Sequence, residues 1–147
     1  MKIVILNGPN LNRLGKRNPK IYGTTSMEQV LLDIQRTYPD LHLRYRQSNH
    51  EGDLIDWLQE LMDDASSSCQ GVVLNAGGLS HSSVSLRDAV EEVIEWGIPV
   101  VEVHISNIRA RETFRQTSLL TEICSHSIIG HGVQGYKEAI KWLQENQ

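Results

Sequence analysis

Ile3-Val4-Ile5-Leu6 is the stretch that decides the fold. Four aliphatic residues in a row, with no polar alternation, describe a strand covered on both faces. A strand of that kind needs helices above and below its sheet, and the downstream pattern supplies them. Met27, Val30, Leu31, Ile34 and Tyr38 recur at helical spacing, with Thr25 or Ser26 as N-cap and Pro39 as stop. Leu41, Leu43 and Tyr45 alternate with His42, Arg44 and Arg46, the pattern of a half-exposed strand at a sheet edge. Leu54, Leu58, Leu61 and Met62 stripe a second helix, and Val72-Val73-Leu74 forms another doubly apolar strand. Leu86, Ala89, Val90, Val93 and Ile94 line a third helix. Ile98 to Val103 is a strand that tolerates Pro99 at its start. Ile128-Ile129 sits in a last short strand, before a helix lined by Tyr136, Ala139, Ile140 and Leu143.

The order is five repeats of strand then helix, with a short, weak helix in the fourth. Such alternation specifies an α/β chain with a parallel sheet, helices on both faces and right-handed crossovers. Five strands with the second at an edge suit a flavodoxin-like three-layer sandwich of strand order 2-1-3-4-5. No linker or repeat divides residues 1–147, which read as a single catalytic domain. The one long irregular segment is Asn7 to Thr24, a length that marks a functional lid or a disordered loop.

Composition excludes several classes. The 147 residues suffice to bury roughly two thirds of the unfolded surface, so no disulfide or metal staple is needed. Apolar residues make up 39% and charged residues 22%, a globular balance rather than a disordered one. The formal charge of −4 argues against a nucleic-acid binder steered by net charge. No aliphatic run approaches the ~20 residues of a membrane helix, and Met1-Lys2 does not open a secretory signal. Cys69 and Cys124 have neither metal nor redox spacing. The expectation is a cytoplasmic protein with free thiols.

In an open parallel sheet, ligands bind beyond the carboxyl ends of the strands where strand order reverses, here between the first and third strands. The polar residues after strands one, three and four therefore matter. They are Asn7, Asn10, Asn12, Arg17 and Tyr22; Asn75, Ser80 and His81; and His104, Ser106, Asn107 and Arg111. Residues 1–27 carry Lys2, Arg13, Lys16, Arg17 and Lys20 and no acid. That patch describes a solvated loop or a lid that closes over an anion, and its place after the first strand favours the lid.

Tyr22 reads either as an aromatic anchor or as a base. A tyrosine ionises near ~10, but a neighbouring guanidinium favours the phenolate, and arginine stays charged without competing for the proton. Glu102 and His104 share one face of a strand. They suit a general acid whose imidazole is oriented by the carboxylate, or a structural hydrogen bond. A metal held by His81, Glu102 and His104 is a third reading, ranked low because zinc-protease spacing is absent. Ser106 and Asn107 are placed to cap the fourth helix, whose N–H groups would receive a carboxylate or phosphate, with Arg111 one turn on; a plain N-cap with a surface arginine fits the same residues equally well. Gly130-His131-Gly132-Val133-Gln134-Gly135 matches a dinucleotide-binding pattern, but the chain beyond it lacks a further strand with a ribose-binding acid. It reads as the last strand-to-helix turn.

These residues resemble the type II 3-dehydroquinate dehydratases. The resemblance lies in Ile5 to Asn12, Leu14-Gly15, Arg17, Pro19, Tyr22-Gly23, Asn75-Ala76-Gly77, His81 to Val84 and Leu86 to Ala89. It continues through Glu102 to Asn107, Arg111-Glu112, Phe114-Arg115, Gly132 and Gly135-Tyr136. It implies removal of water from 3-dehydroquinate to give 3-dehydroshikimate through an enolate, a step toward aromatic compounds, with no metal or cofactor. It further implies that Tyr22 is the base for the C2 proton and that Arg17 keeps it ionised. Asn12 would hold a water that stabilises the enolate. His104, oriented by Glu102, would protonate the departing C1 hydroxyl. Asn75, His81 and Arg111 would grip ring hydroxyls, while Ile105 and Ser106 receive the carboxylate. Asp88 would reach a neighbouring subunit's site in a dodecamer built from trimers, with no nucleic-acid or membrane partner. Leu79, Arg109 and His131 depart from residues common in the family. The fold alone equally permits a binding module for a flavin or another phosphorylated ligand.

Overall fold

The computed structural model describes residues 1–147. Its sheet is built from β1 (Lys2–Asn7), β2 (His42–Gln47), β3 (Gly71–Asn75), β4 (Val100–His104) and β5 (His126–Ile129). All neighbours pair parallel, in the order β2-β1-β3-β4-β5. The expected order is the observed one. The half-exposed second strand lies at an edge and the apolar strands lie inside.

The helices are α1 (Pro19–Tyr22), α2 (Met27–Thr37), α3 (Glu51–Asp63), α4 (Val84–Trp96) and α5 (Gln134–Glu145). Alternation along each strand divides the core. Ile3, Ile5, Val73, Val101 and Val103 pack with α2 and α5 on one face, while Val4, Leu6, Val72, Leu74 and Val100 pack with α3 and α4 on the other. Both faces are therefore apolar, which is why the inner strands read as unbroken aliphatic runs. Ser26 starts α2 with a reciprocal capping box: its hydroxyl accepts from the Gln29 N–H, and the Gln29 side chain accepts from the Ser26 N–H.

Two expectations are corrected. The fourth crossover holds no α-helix, only 3₁₀ turns at Ile108–Ala110 and Thr113–Arg115. Ile108 is the one buried residue in these turns, so no apolar stripe exists to hold a helix against the sheet. The segment from Asn7 to Thr24 is not wholly irregular either. It contains a 3₁₀ turn at Leu11–Arg13 and the single turn of α1, and Leu11 and Leu14 are buried in the α2–α5 layer. The segment is pinned at its start and exposed from Lys16 to Lys20.

Close approach sets two glycines. A Cβ on Gly8 would stand 2.5 Å from the Ala76 carbonyl oxygen, so only glycine lets the chain leaving β1 touch the chain leaving β3. Gly135 opens α5 against Val103 and Ile128, where a Cβ would meet their methyl carbons at 3.2 and 3.4 Å. The glycine-rich stretch from Gly130 is the turn between β5 and α5, as expected. No helix is long and apolar enough to cross a membrane, and both cysteines are free.

Candidate active site

A cleft of about 140 Å³ opens at the carboxyl ends of β1, β3 and β4. The first loop contributes Arg13, Arg17 and Tyr22, and the segment after β3 contributes Asn75, Gly77 and His81. The segment after β4 contributes His104, Ile105, Ser106, Arg111 and Arg115. Four arginines line the cleft and no carboxylate does. On a chain of net charge −4 this is a local reversal of sign, and it selects an anion. The volume lies below the ~300 Å³ typical of sites for drug-sized ligands, so a small acid fits better than a flavin.

Tyr22 ends α1 with its ring half-buried against the α2–α5 layer. Arg111 Nη1 donates to the Tyr22 hydroxyl at 3.1 Å and to Ser106 Oγ at 3.3 Å. The Arg17 guanidinium lies over the Tyr22 ring, 5.0 Å from its centre. Two cations thus face this phenol, one at its oxygen and one at its π face. The sequence points Arg111 at the substrate; the structure also bonds it to the phenol oxygen, while Arg17 meets the ring face.

His104 is 4% exposed, and its Nε2 lies 2.6 Å from Glu102 Oε2. Glu102 is fully buried and receives three further donors: the hydroxyls of Ser118, Thr121 (2.7 Å) and Ser127 (2.8 Å). Burial alone would raise its pKa. The hydrogen bond and charge of His104, with the Ser118 and Thr121 hydroxyls, outweigh burial and hold it down to about 2. Glu102 is therefore an anion that keeps a proton on His104 Nε2 and leaves Nδ1 as the other ring nitrogen. With four donors on two oxygens, the carboxylate has no vacancy for a metal. No group of three or more His, Cys, Asp or Glu side chains is arranged to hold one.

His81 Nδ1 lies 2.8 Å from the Thr117 carbonyl oxygen, which fixes the proton on Nδ1 and leaves Nε2 as the acceptor in the neutral ring. Its ring centre is 6.2 Å from that of His104. Residues 117–121 thus tie down His81 through the Thr117 carbonyl, and Glu102, the partner of His104, through the Ser118 and Thr121 hydroxyls.

Most expected site residues converge. Tyr22, Arg17, Asn75, His81, His104, Ile105, Ser106 and Arg111 line the cleft, and Glu102 lies beneath His104. Asn12 is exposed on the Leu11–Arg13 turn and does not line it. Asp88 is exposed on α4 and also lies outside it. Ser106 does not begin an α-helix: Asn107 caps a three-residue turn by accepting from the Arg109 N–H. The sequence marks Arg13 only as one of several basic residues in the anion lid, and it does not single out Arg115 as a site residue. The hydroxyls around Glu102 left no signal, since they come from positions 16 to 25 residues away.

Comparison with known proteins places this chain among relatives. A family profile described as dehydroquinase class II matches residues 1–144. A 3-dehydroquinate dehydratase of an Exiguobacterium species is 46% identical over 147 residues, covering 99% of this chain and 96% of the relative. The 3-dehydroquinate dehydratase of Bacillus subtilis is 44% identical over 146 residues, covering 98% and 94%. The crystal structure of a type II dehydroquinase from Butyrivibrio crossotus superposes with a TM-score of 0.90 at 40% identity, covering 98% of this chain and 97% of that one.

Proposed function

This chain belongs to the class II dehydroquinase family, and from that premise we propose that it dehydrates 3-dehydroquinate to 3-dehydroshikimate through an enolate. The observation that carries the reading is Tyr22, with Arg111 on its oxygen and Arg17 on its ring, in an acid-free, arginine-lined cleft shared with the Glu102–His104 pair.

The reaction needs a base, an acid and a clamp for the carboxylate. The proton on C2 is acidic because its anion delocalises into the adjacent ketone. Tyr22, as a phenolate stabilised by the two guanidinium groups, takes that proton and leaves an enolate. The enolate collapses as the C1–O bond breaks. His104, as an imidazolium supported by Glu102, gives its Nδ1 proton to the leaving hydroxyl, which departs as water. The product is a conjugated enone. One proton has moved to Tyr22 and one has left His104, so proton exchange with solvent resets both. No electrons are transferred overall and no redox cofactor is required. Asn75, His81 and Arg111 hold ring hydroxyls, and Ile105 and Ser106, with Arg13 and Arg115 nearby in the cleft, receive the carboxylate. Asn12 contributes through a bound water once the first loop closes, which also excludes solvent.

The same reading makes residues 1–147 one catalytic unit acting in the cytoplasm on the route to aromatic compounds. It makes the working form a dodecamer of trimers in which Asp88 completes a neighbour's site. The flavin-binding alternative is disfavoured by the small cleft. The test is an ultraviolet assay for the enone with purified protein and 3-dehydroquinate, with and without chelator. Equal absorbance growth in both is expected. No growth would overturn the reading, and loss with chelator would overturn its metal-free chemistry.

A further inference from the structure

We propose that Tyr136 is a positioning residue for this reaction: its hydroxyl locks the Asn75 amide in the one orientation in which that side chain meets the substrate. The proposal rests on the dehydratase reading of the cleft.

Asn7 and Asn75 are register partners at the ends of β1 and β3, where the strand order reverses. Both are buried, and between their amides lies the hydroxyl of Tyr136, brought up from α5 with no exposure at all. Asn75 Nδ2 donates to Tyr136 Oη at 3.0 Å, and Tyr136 Oη donates to Asn7 Oδ1 at 2.8 Å. Asn7 Nδ2 in turn points to Met27 Sδ at 3.3 Å and to Tyr45 Oη at 3.5 Å. At the other end, the Gly77 backbone N–H donates to Asn75 Oδ1 at 3.1 Å.

The direction of this chain is forced. A backbone N–H only donates, so Gly77 holds Asn75 Oδ1 toward itself and turns Nδ2 toward Tyr136. Tyr136 must then accept from Asn75 and donate to Asn7. Flipping the Asn75 amide would set its NH₂ against the Gly77 N–H and leave buried groups unpaired. Burial pushes the Tyr136 pKa up, so the hydroxyl keeps the proton the chain requires. Asn75 retains one amide hydrogen and one lone pair for a ligand, in a fixed orientation. Asn75 lines the cleft; Tyr136 and Asn7 do not. Tyr136 therefore touches no substrate and acts through Asn75.

The test is a double-mutant cycle with Tyr136→Phe and Asn75→Ala, read as KM and kcat on 3-dehydroquinate. A hydrogen bond to a substrate hydroxyl is made equally in ground and transition states, so its loss raises KM and spares kcat. Asn75→Ala is expected to raise KM about tenfold and Tyr136→Phe several-fold, the size of one or two polar contacts. The double variant should match Asn75→Ala alone, because Tyr136 has nothing left to orient. KM does not depend on the folded fraction, so a merely structural role would leave it unmoved. If Tyr136→Phe does not fold, Asn7→Ala breaks the chain one bond further out and should give a smaller KM rise that also vanishes beside Asn75→Ala. An unchanged KM, or effects that multiply in the double variant, would overturn the positioning role while leaving the dehydratase reading intact. Wild-type protein without turnover would overturn both.

Discussion

Arg111 Nη1 sits 3.1 Å from the Tyr22 hydroxyl oxygen, although the two residues are 89 positions apart in the chain. The contact joins the first loop to the segment after β4 across the mouth of the cleft. A phenolate formed there keeps the bond and adds charge assistance to it. Arg17, over the ring, adds a second cation. The proposed base is thus assembled from three residues on two loops.

Arg111→Lys keeps the charge but loses the guanidinium whose Nη1 donates to both Tyr22 and Ser106, and puts a shorter side chain with a compact ammonium in its place. Its kcat/KM is expected to fall about 10²-fold, the order seen when one preorganised donor is removed from a charged transition state. Steady-state kinetics check this, and a value within twofold of wild type would remove Arg111 from the base's support.

His104→Gln separates the two proton transfers. Dehydration is expected to drop by about 10² to 10⁴, the usual worth of a positioned acid. Tyr22 still removes the C2 proton, so substrate deuterated at C2 should lose its label to solvent faster than product forms. Magnetic resonance of recovered substrate gives the ratio. Full retention of label would mean that proton removal also depends on His104.

Glu102 links stability to pH. Its folded pKa of about 2 lies below its ordinary 4.5, so its ionisation stabilises the fold above about pH 4.5. That contribution, about 3 kcal/mol at most for a shift of this size, is lost as pH falls from 4.5 toward 2. Denaturant unfolding of wild type should weaken through this window. Glu102→Gln should be less stable than wild type at pH 7, with the gap narrowing as pH approaches 2. A gap independent of pH would contradict the assignment.

Gly8→Ala places a methyl 2.5 Å from the Ala76 carbonyl oxygen, and backbone on both sides prevents relief. A loss of about 1–3 kcal/mol, the cost of overpacking, is expected in unfolding experiments, with reduced turnover because Asn75 and Gly77 flank that contact. Wild-type stability would show that the two strand ends separate freely.

The sheet was legible because both of its faces are covered. Ile3 to Leu6, Val72 to Leu74 and Val100 to Val103 are largely apolar without regular alternation, and only a parallel sheet between helix layers buries such runs. The cleft was legible because topology sends the ends of β1, β3 and β4 to one edge. The fourth helix is absent because the stretch after Ile105 is mostly polar, and Ile108 alone cannot anchor a helix there. The Arg111–Tyr22 contact, the hydroxyls on Glu102 and the buried Tyr136 chain were not legible. Each joins residues distant in sequence, and serine, threonine and tyrosine carry no spacing that marks a partner.

Tyr22→Phe tests the central claim most directly, because it removes one oxygen and leaves the ring between its arginines. Turnover of 3-dehydroquinate and loss of C2 deuterium to solvent should both fall by about 10² or more, while substrate binding by equilibrium dialysis stays within a few-fold of wild type. Survival of more than about a tenth of wild-type turnover would mean that another group takes the proton, and a tyrosinate-initiated mechanism would not stand.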